Sequence, residues 1–245
     1  RAGQPITHAN FGDRRIADAV LTELAGLRHI RSLNLYATEI TDAGLKHLAP
    51  LKSLTYLNLD KTKVTDAGLK DLAVLDGLVE LSLEETAVTG AGLKELAGLK
   101  HLTQLQLEYA AITNAGLKGI AALTRLTALD LRHTTVTDDG VKELAPLTHL
   151  NYLSLPTITD RTLAELRALK LSHAMRQAVS HEGRNPKNVD DVGSLYLSGT
   201  RITDAAVKEL VLFRNVKGMY LSATGLTDAG VAGLRRALPG CDVVR

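Results

Sequence analysis

The chain has 245 residues, 45% of them hydrophobic and 23% charged, with a formal net charge of +2. That balance suits a folded protein, and without a basic tail or face to release counterions from phosphates, nucleic acid is not an expected partner. A single cysteine, Cys241, excludes an internal disulfide framework and a cysteine-based zinc site, and no apolar run approaches the ~20 residues that cross a bilayer.

From the N-terminus, Pro5 to Arg28 reads as a degenerate unit, with Phe11, Ile16, Leu21, Leu24 and Leu27 as its apolar positions. Residues 1–28 are expected to cap the N-terminal end of a repeat array. From His29 the chain repeats itself: HIRSLNLYATEITDAGLKHLAPLK, then SLTYLNLDKTKVTDAGLKDLAVLD from Ser53. GLVELSLEETAVTGAGLKELAGLK from Gly77 and HLTQLQLEYAAITNAGLKGIAALT from His101 continue the series, with a period of about 24 residues. Further units start near Arg125, His149, Asp191 and Asn215, giving about nine in all.

Each unit changes its hydrophobic period partway. Leu33 and Leu35 are spaced as on one face of a strand. Leu45, Leu48 and Leu51 are spaced as on one stripe of a helix. The spacing predicts strand, turn and helix in every unit. No unit buries both apolar faces alone, so stacking must do so, with a parallel sheet on the concave side and helices on the convex side.

Two threonine columns run through the repeats. Thr41, Thr65, Thr89, Thr113, Thr137, Thr159, Thr203 and Thr227 mostly precede Asp and are expected to cap the helices. Gly44, Gly68, Gly92, Gly116, Gly140 and Gly230 follow in the first helical turn, where close packing on the neighbouring unit leaves no room for a side chain. Thr38, Thr62, Thr86, Thr134, Thr200 and Thr224 follow the strands. Their hydroxyls are expected to bridge to the next unit, and Ala110 interrupts this column.

The pattern LxxLxLxxTxITDAGLKxLAxL resembles leucine-rich-repeat proteins over nearly the whole chain. It is most similar to their cysteine-containing and bacterial subclasses, with Thr where those carry a Cys or Asn ladder. The resemblance implies an α/β right-handed solenoid and recognition of other molecules. Eukaryotic members resemble substrate receptors of ubiquitin ligases, but no F-box-like segment precedes the repeats here. The nearer likeness is to Thr-rich bacterial arrays, often parts of larger proteins.

The pattern breaks near the C-terminal end. Pro156 to Ile158 is about two residues short, and Leu171 to Asp190 matches no repeat. In the 171–190 insertion, Leu171, Met175, Ala178 and Val179 would extend the preceding helix, and Glu182 to Asn188 reads as a loop. The segment either fills a decayed repeat or offers a lateral contact. Residues 237–245, with LPGCDVV, resemble a closing half-strand, so a capped monomer is expected. The chain starts at Arg1 rather than Met, as expected of a trimmed or processed form, which leaves the compartment open.

No catalytic signature is present: no G-x-S-x-G, H-E-x-x-H, Walker loop or dinucleotide fingerprint. His29, His101 and His149 share one column but lie at least two levels apart, too far to share a metal. His181 with Glu182 reads as a chance pair, and Cys241 has no activating partner. The lysine column Lys46, Lys70, Lys94, Lys118, Lys142 and Lys208 reads as a solvated face. No metal or other cofactor is expected.

The strand positions flanking the leucines carry the functional signal. All six tyrosines fall there: Tyr36, Tyr56, Tyr109, Tyr152, Tyr196 and Tyr220. Tyr combines a large contact area with a polar tip, although it also suits strand surfaces. Asp60, Glu84 and Glu108 form one column on consecutive strands, with Glu80, Glu85 and Asp130 close by. Like charges across paired strands are unfavourable, so the stack points to a basic protein partner more than to a divalent cation. Arg132, Lys61 and Lys63 are placed to offset part of the repulsion. The expected function is a non-catalytic protein-binding scaffold with a concave binding face. The alternatives are the substrate-recognition arm of a larger enzyme, ubiquitin-ligase-like or kinase-fused, and extracellular ligand or glycan capture.

Overall fold

The computed structural model describes residues 5–180 and 182–245. Seven strands form one parallel sheet in chain order: β1 (His8–Asn10), β2 (Ser32–Asn34), β3 (Tyr56–Asn58), β4 (Glu80–Ser82), β5 (Gln104–Gln106), β6 (Ala128–Asp130) and β7 (Tyr152–Ser154). The register follows the repeat: Leu33 faces Leu57, Leu57 faces Leu81, and so on to Leu153. Strand alternation sends these leucines inward, where they are fully buried, and turns their neighbours to the concave surface. The degenerate first unit joins the same sheet, with Ala9 opposite Leu33.

The convex side is less helical than the spacing predicts. α1 (Ala19–Leu24), α2 (Asp42–Leu45), α3 (Leu69–Leu72), α4 (Leu117–Ile120) and α5 (Asp138–Val141) are one or two turns long, with 3-10 turns such as Lys46–Leu48 between them. Among the described residues only α6 (Asp160–Ala168) and the last helix, α8 (Asp228–Ala237), are longer; between them lies the one-turn α7 (Val207–Leu210). Isolated helices this short are unstable in water. Their stability comes from the stripe Leu45, Leu48 and Leu51 and its equivalents, most of them buried between units. Burying one leucine is worth about 1.5–3 kcal/mol.

The polar columns work differently from expectation in two respects. The Thr38 hydroxyl donates to Leu35 O in its own unit at 2.7 Å, as Thr62 does to Leu59 O at 2.6 Å, and neither crosses to the next unit. Bridging between units falls instead to the aspartates. Thr41 caps its own helix, accepting from Ala43 N, but Asp42 reaches forward to Thr65. Gly68 sits where a Cβ would overlap that Asp42 carboxylate. In the unit of α6, Thr162 replaces the glycine, and its hydroxyl donates to Asp138 instead.

The 171–190 segment does not extend α6, which ends at Ala168. Leu171, Ala174 and Met175 turn into the core, and Met175 bridges to Leu153 beside β7. The chain then forms β8 (Ala178–Ser180), antiparallel to β9 (Val192–Tyr196). A second sheet runs β8, β9, β10 (Gly218–Tyr220) and β11 (Asp242–Val244), and only its β8 pairing is antiparallel. The segment therefore divides the sheet in two. It does not divide the aspartate column: Asp160 accepts from Thr203 N and Oγ1 at 2.7 and 2.6 Å across it. The Glu182–Asn188 stretch contains no helix or strand, and His181 lies outside the described residues.

Candidate functional site

The constant register brings Asp60, Glu84, Glu108 and Arg132 into one row on the concave face. Backbone bonds link the row: Lys61 N donates to Glu84 O, Glu85 N to Glu108 O and Tyr109 N to Arg132 O. One position earlier on the same face, Asp130 lies beside Gln106 and Ser154, and one position before that Glu80 lies beside Tyr56 and Gln104.

Most of these charges are already engaged. Asp60, 7% exposed, accepts from Ser82 Oγ at 2.5 Å, Glu84 N at 2.8 Å and Asn58 Nδ2 at 2.8 Å. Arg132 Nε donates to both oxygens of the equally buried Asp130, and its terminal nitrogen lies 2.6 Å from Glu108 Oε2. Arg132 thus offsets the acidic stack as expected. Lys61 and Lys63 do not. Lys61 pairs with Glu85 at 3.1 Å and lies over the Tyr36 ring, and Lys63 pairs with Glu39. Glu80 accepts from Gln106 Nε2 at 3.0 Å, while burial pushes its carboxyl upward.

Glu84 is the exception. Its half-buried carboxylate has no hydrogen-bond or ion-pair partner among the described residues. Burial, then the charges of Asp60, Glu108 and Asp130, push its pKa up to about 7, against the pull of Arg132. Glu84 lines a groove of about 500 Å³ with Gln104, Gln106, Asp130, Arg132 and Tyr152. Asn185 of the insertion overhangs the same groove. Nothing in the repeat pattern predicts that residue, because a segment present once has no column to align with.

The tyrosines do not form one surface. Tyr36, Tyr56 and Tyr152 are half-buried on the first sheet, and burial raises the Tyr152 pKa. Tyr109 occupies a turn just past β5 with φ 57°, is 54% exposed, and stacks on His133 at 4.2 Å. His133 also lies 3.6 Å from Glu108. It shares the turn column of Lys61, Glu85 and Tyr109, and that alignment was the signal by which it could have been found. Tyr196, 50% exposed, stacks on Tyr220 at 4.8 Å on the second sheet, beyond the insertion.

Among the described residues, no three His, Cys, Asp or Glu side chains converge to hold a metal ion, and no helix is long and apolar enough to cross a membrane. His29, His101, His149 and the lysine column are all exposed.

A stacked array of leucine-bearing strands with one polar, charged sheet face is the leucine-rich-repeat solenoid fold, and this chain has it. The family model described as Leucine Rich repeat matches residues 26–49, 51–73, 98–121 and 122–145. Among solved structures, the chain is similar to an internalin of Listeria monocytogenes, with 23% identity over 97% of this chain and a TM-score of 0.66. The chain spans 66% of that protein's length. Internalin C2 of the same organism shares 21% identity over 94% of this chain and 77% of its own, with a TM-score of 0.50. A leucine-rich-repeat protein of Leptospira interrogans shares 17% identity over 98% of this chain and 72% of its own, also at 0.50. These likenesses concern the fold. No curated protein matches the chain by sequence.

Proposed function

We propose that the chain is a non-catalytic scaffold that binds a protein partner through its concave face, with a basic side chain of the partner seated on Glu84. The observation that carries this reading is the state of Glu84: a carboxylate with no partner among the described residues, near three other acids, on the wall of an open groove. Its neighbours have all found partners within the chain, so a cation from outside has one clear place to go. A guanidinium or ammonium there would relieve the repulsion and the burial cost together.

The aromatics of this sheet fit the same reading. Tyr152 borders the groove, and Tyr109 is exposed in the turn past β5, where it stacks on His133. Such residues supply contact area at small ordering cost. We take residues 1–245 as one monomeric recognition unit of about nine repeats, with 1–28 and 237–245 as its caps.

The test is a paired capture from native lysate. One bait is the chain itself, and the other carries Tyr56→Ser, Glu84→Lys and Tyr109→Ser, with circular dichroism confirming an unchanged fold. A partner recovered only by the first bait upholds the reading. The same partner on both baits overturns it and moves attention to the helical side.

A further inference from the structure

Where the insertion interrupts the array, a second cavity of about 380 Å³ opens between α6 and α7. The N-terminal ends of these helical segments remain joined through Asp160 and Thr203. Toward their C-terminal ends, Ser172 and His173 on one side of the insertion and Lys187 to Val189 on the other complete the wall. The cavity shares no lining residue with the concave groove.

Its floor holds an unusual carboxylate. Glu209 occupies a column filled elsewhere by Asp71, Glu95, Glu143 and Glu165, each of which reaches solvent. Only Glu209 is buried, at 4% exposure. Arg167 Nε lies 2.7 Å from its Oε2, but the N–H is not directed along that line, and Oε2 has no hydrogen-bond donor among the described residues. A buried acceptor without a donor is costly, so the cavity favours a ligand that brings an N–H.

Two further features narrow the ligand. Lys170 and Lys187 stand exposed at the mouth, and their ammonium groups have no partner among the described residues. Burial holds the His173 imidazole below its ordinary value, which leaves the positive rim to the lysines and Arg167. The rest of the wall combines the apolar Val189, Leu212 and Phe213 with the small polar side chains of Ser172 and Asn188. Phe213 stands where other units carry Leu51, Leu75, Leu99, Leu123 and Leu147, so the one large ring of this column faces the cavity.

A single buried acid, a cationic mouth and a partly apolar wall match a small zwitterion with an apolar body. We propose that this cavity binds a free α-amino acid with an apolar side chain. Its ammonium donates to Glu209 Oε2, its carboxylate meets Lys170 and Lys187, and its side chain packs on Leu212, Phe213 and Val189. The volume is within the range of small-molecule sites, about 300–1,000 Å³.

Calorimetric titration of the full chain with L-phenylalanine tests this, alongside N-acetyl-L-phenylalanine, which lacks the ammonium, and 2-phenylethylamine, which lacks the carboxylate. L-Phenylalanine is expected to bind at least about tenfold more tightly than either analogue, as loss of a charged hydrogen bond implies. Glu209→Gln should abolish the preference over the acetylated form. The exposed pair Lys170→Glu and Lys187→Glu should abolish the preference over the amine, and it decides the matter if Glu209→Gln fails to fold. No binding of L-phenylalanine or L-leucine at millimolar concentration would overturn the proposal, as would equal binding of the analogues or indifference to the lysine changes.

Discussion

The carboxylate of Asp42 accepts both the backbone N–H and the hydroxyl of Thr65, one repeat later, at 2.8 and 2.7 Å. Asp18 does the same for Thr41, Asp160 for Thr203 and Asp204 for Thr227. Where the aspartate is present this staple ties a helix start to the one before it, and it survives the insertion that splits the sheet; Gly90 leaves Thr113 without it. Removing its acceptor leaves a backbone donor unpaired. Asp42→Ala should therefore cost about 1–3 kcal/mol, measured by urea unfolding. Asp42→Asn should cost less, because Asn114 already makes the equivalent pair of bonds to Thr137.

The same staple dictates the glycines beside it. Gly68→Ala forces a methyl into the Asp42 carboxylate and should destabilise by about 1–3 kcal/mol. Gly98→Ala meets nothing within 4 Å at an ordinary φ, and should be neutral or stabilising by up to about 1 kcal/mol. Thermal melts of the two variants side by side check the contrast. Equal melting temperatures would refute the steric account.

Arg132 holds the acidic row together. Arg132→Met strands the buried Asp130 and the nearby Glu108 without their cation and should lose about 1–3 kcal/mol. Adding Glu108→Gln should recover part of that loss. A double-mutant cycle on urea midpoints measures the coupling.

Glu84 makes stability depend on pH with a definite sign. The unfolded chain ionises it near ~4.3, but in the folded protein it ionises near 7. Between these values the folded state binds the extra proton, so this residue's contribution falls as pH rises from about 4 to 7 and stays low above that. Glu84→Gln should be more stable than the parent at pH 8, by about 1 kcal/mol after solvent screening, and indistinguishable at pH 4. Denaturation at the two pH values decides it.

Much of this architecture was legible from spacing. A period held at 24 fixes the register of β2 to β7, and the register alone puts Asp60, Glu84, Glu108 and Arg132 in one row. Rotamer choice was not legible. Lys61 faces a choice between Asp60's row and Glu85, and the turn geometry, with φ 54° at Lys61 and 53° at Glu85, aligns it with Glu85. The forward reach of Asp42 was hidden because a capping threonine and a stapling aspartate follow one another in every repeat. The antiparallel β8 and the overhang of Asn185 were hidden because their segment occurs once, so no column constrains it.

The concave face is the centre of the account, and one affinity comparison tests it most directly. Binding of the captured partner would be measured for the parent chain, for Glu84→Lys and for Lys118→Glu, whose side chain is exposed on the convex helix α4. The account predicts that Glu84→Lys weakens binding by at least about 100-fold, as expected for charge reversal at a buried contact, while Lys118→Glu leaves it unchanged. Unchanged binding with Glu84→Lys, or loss with Lys118→Glu alone, would contradict it.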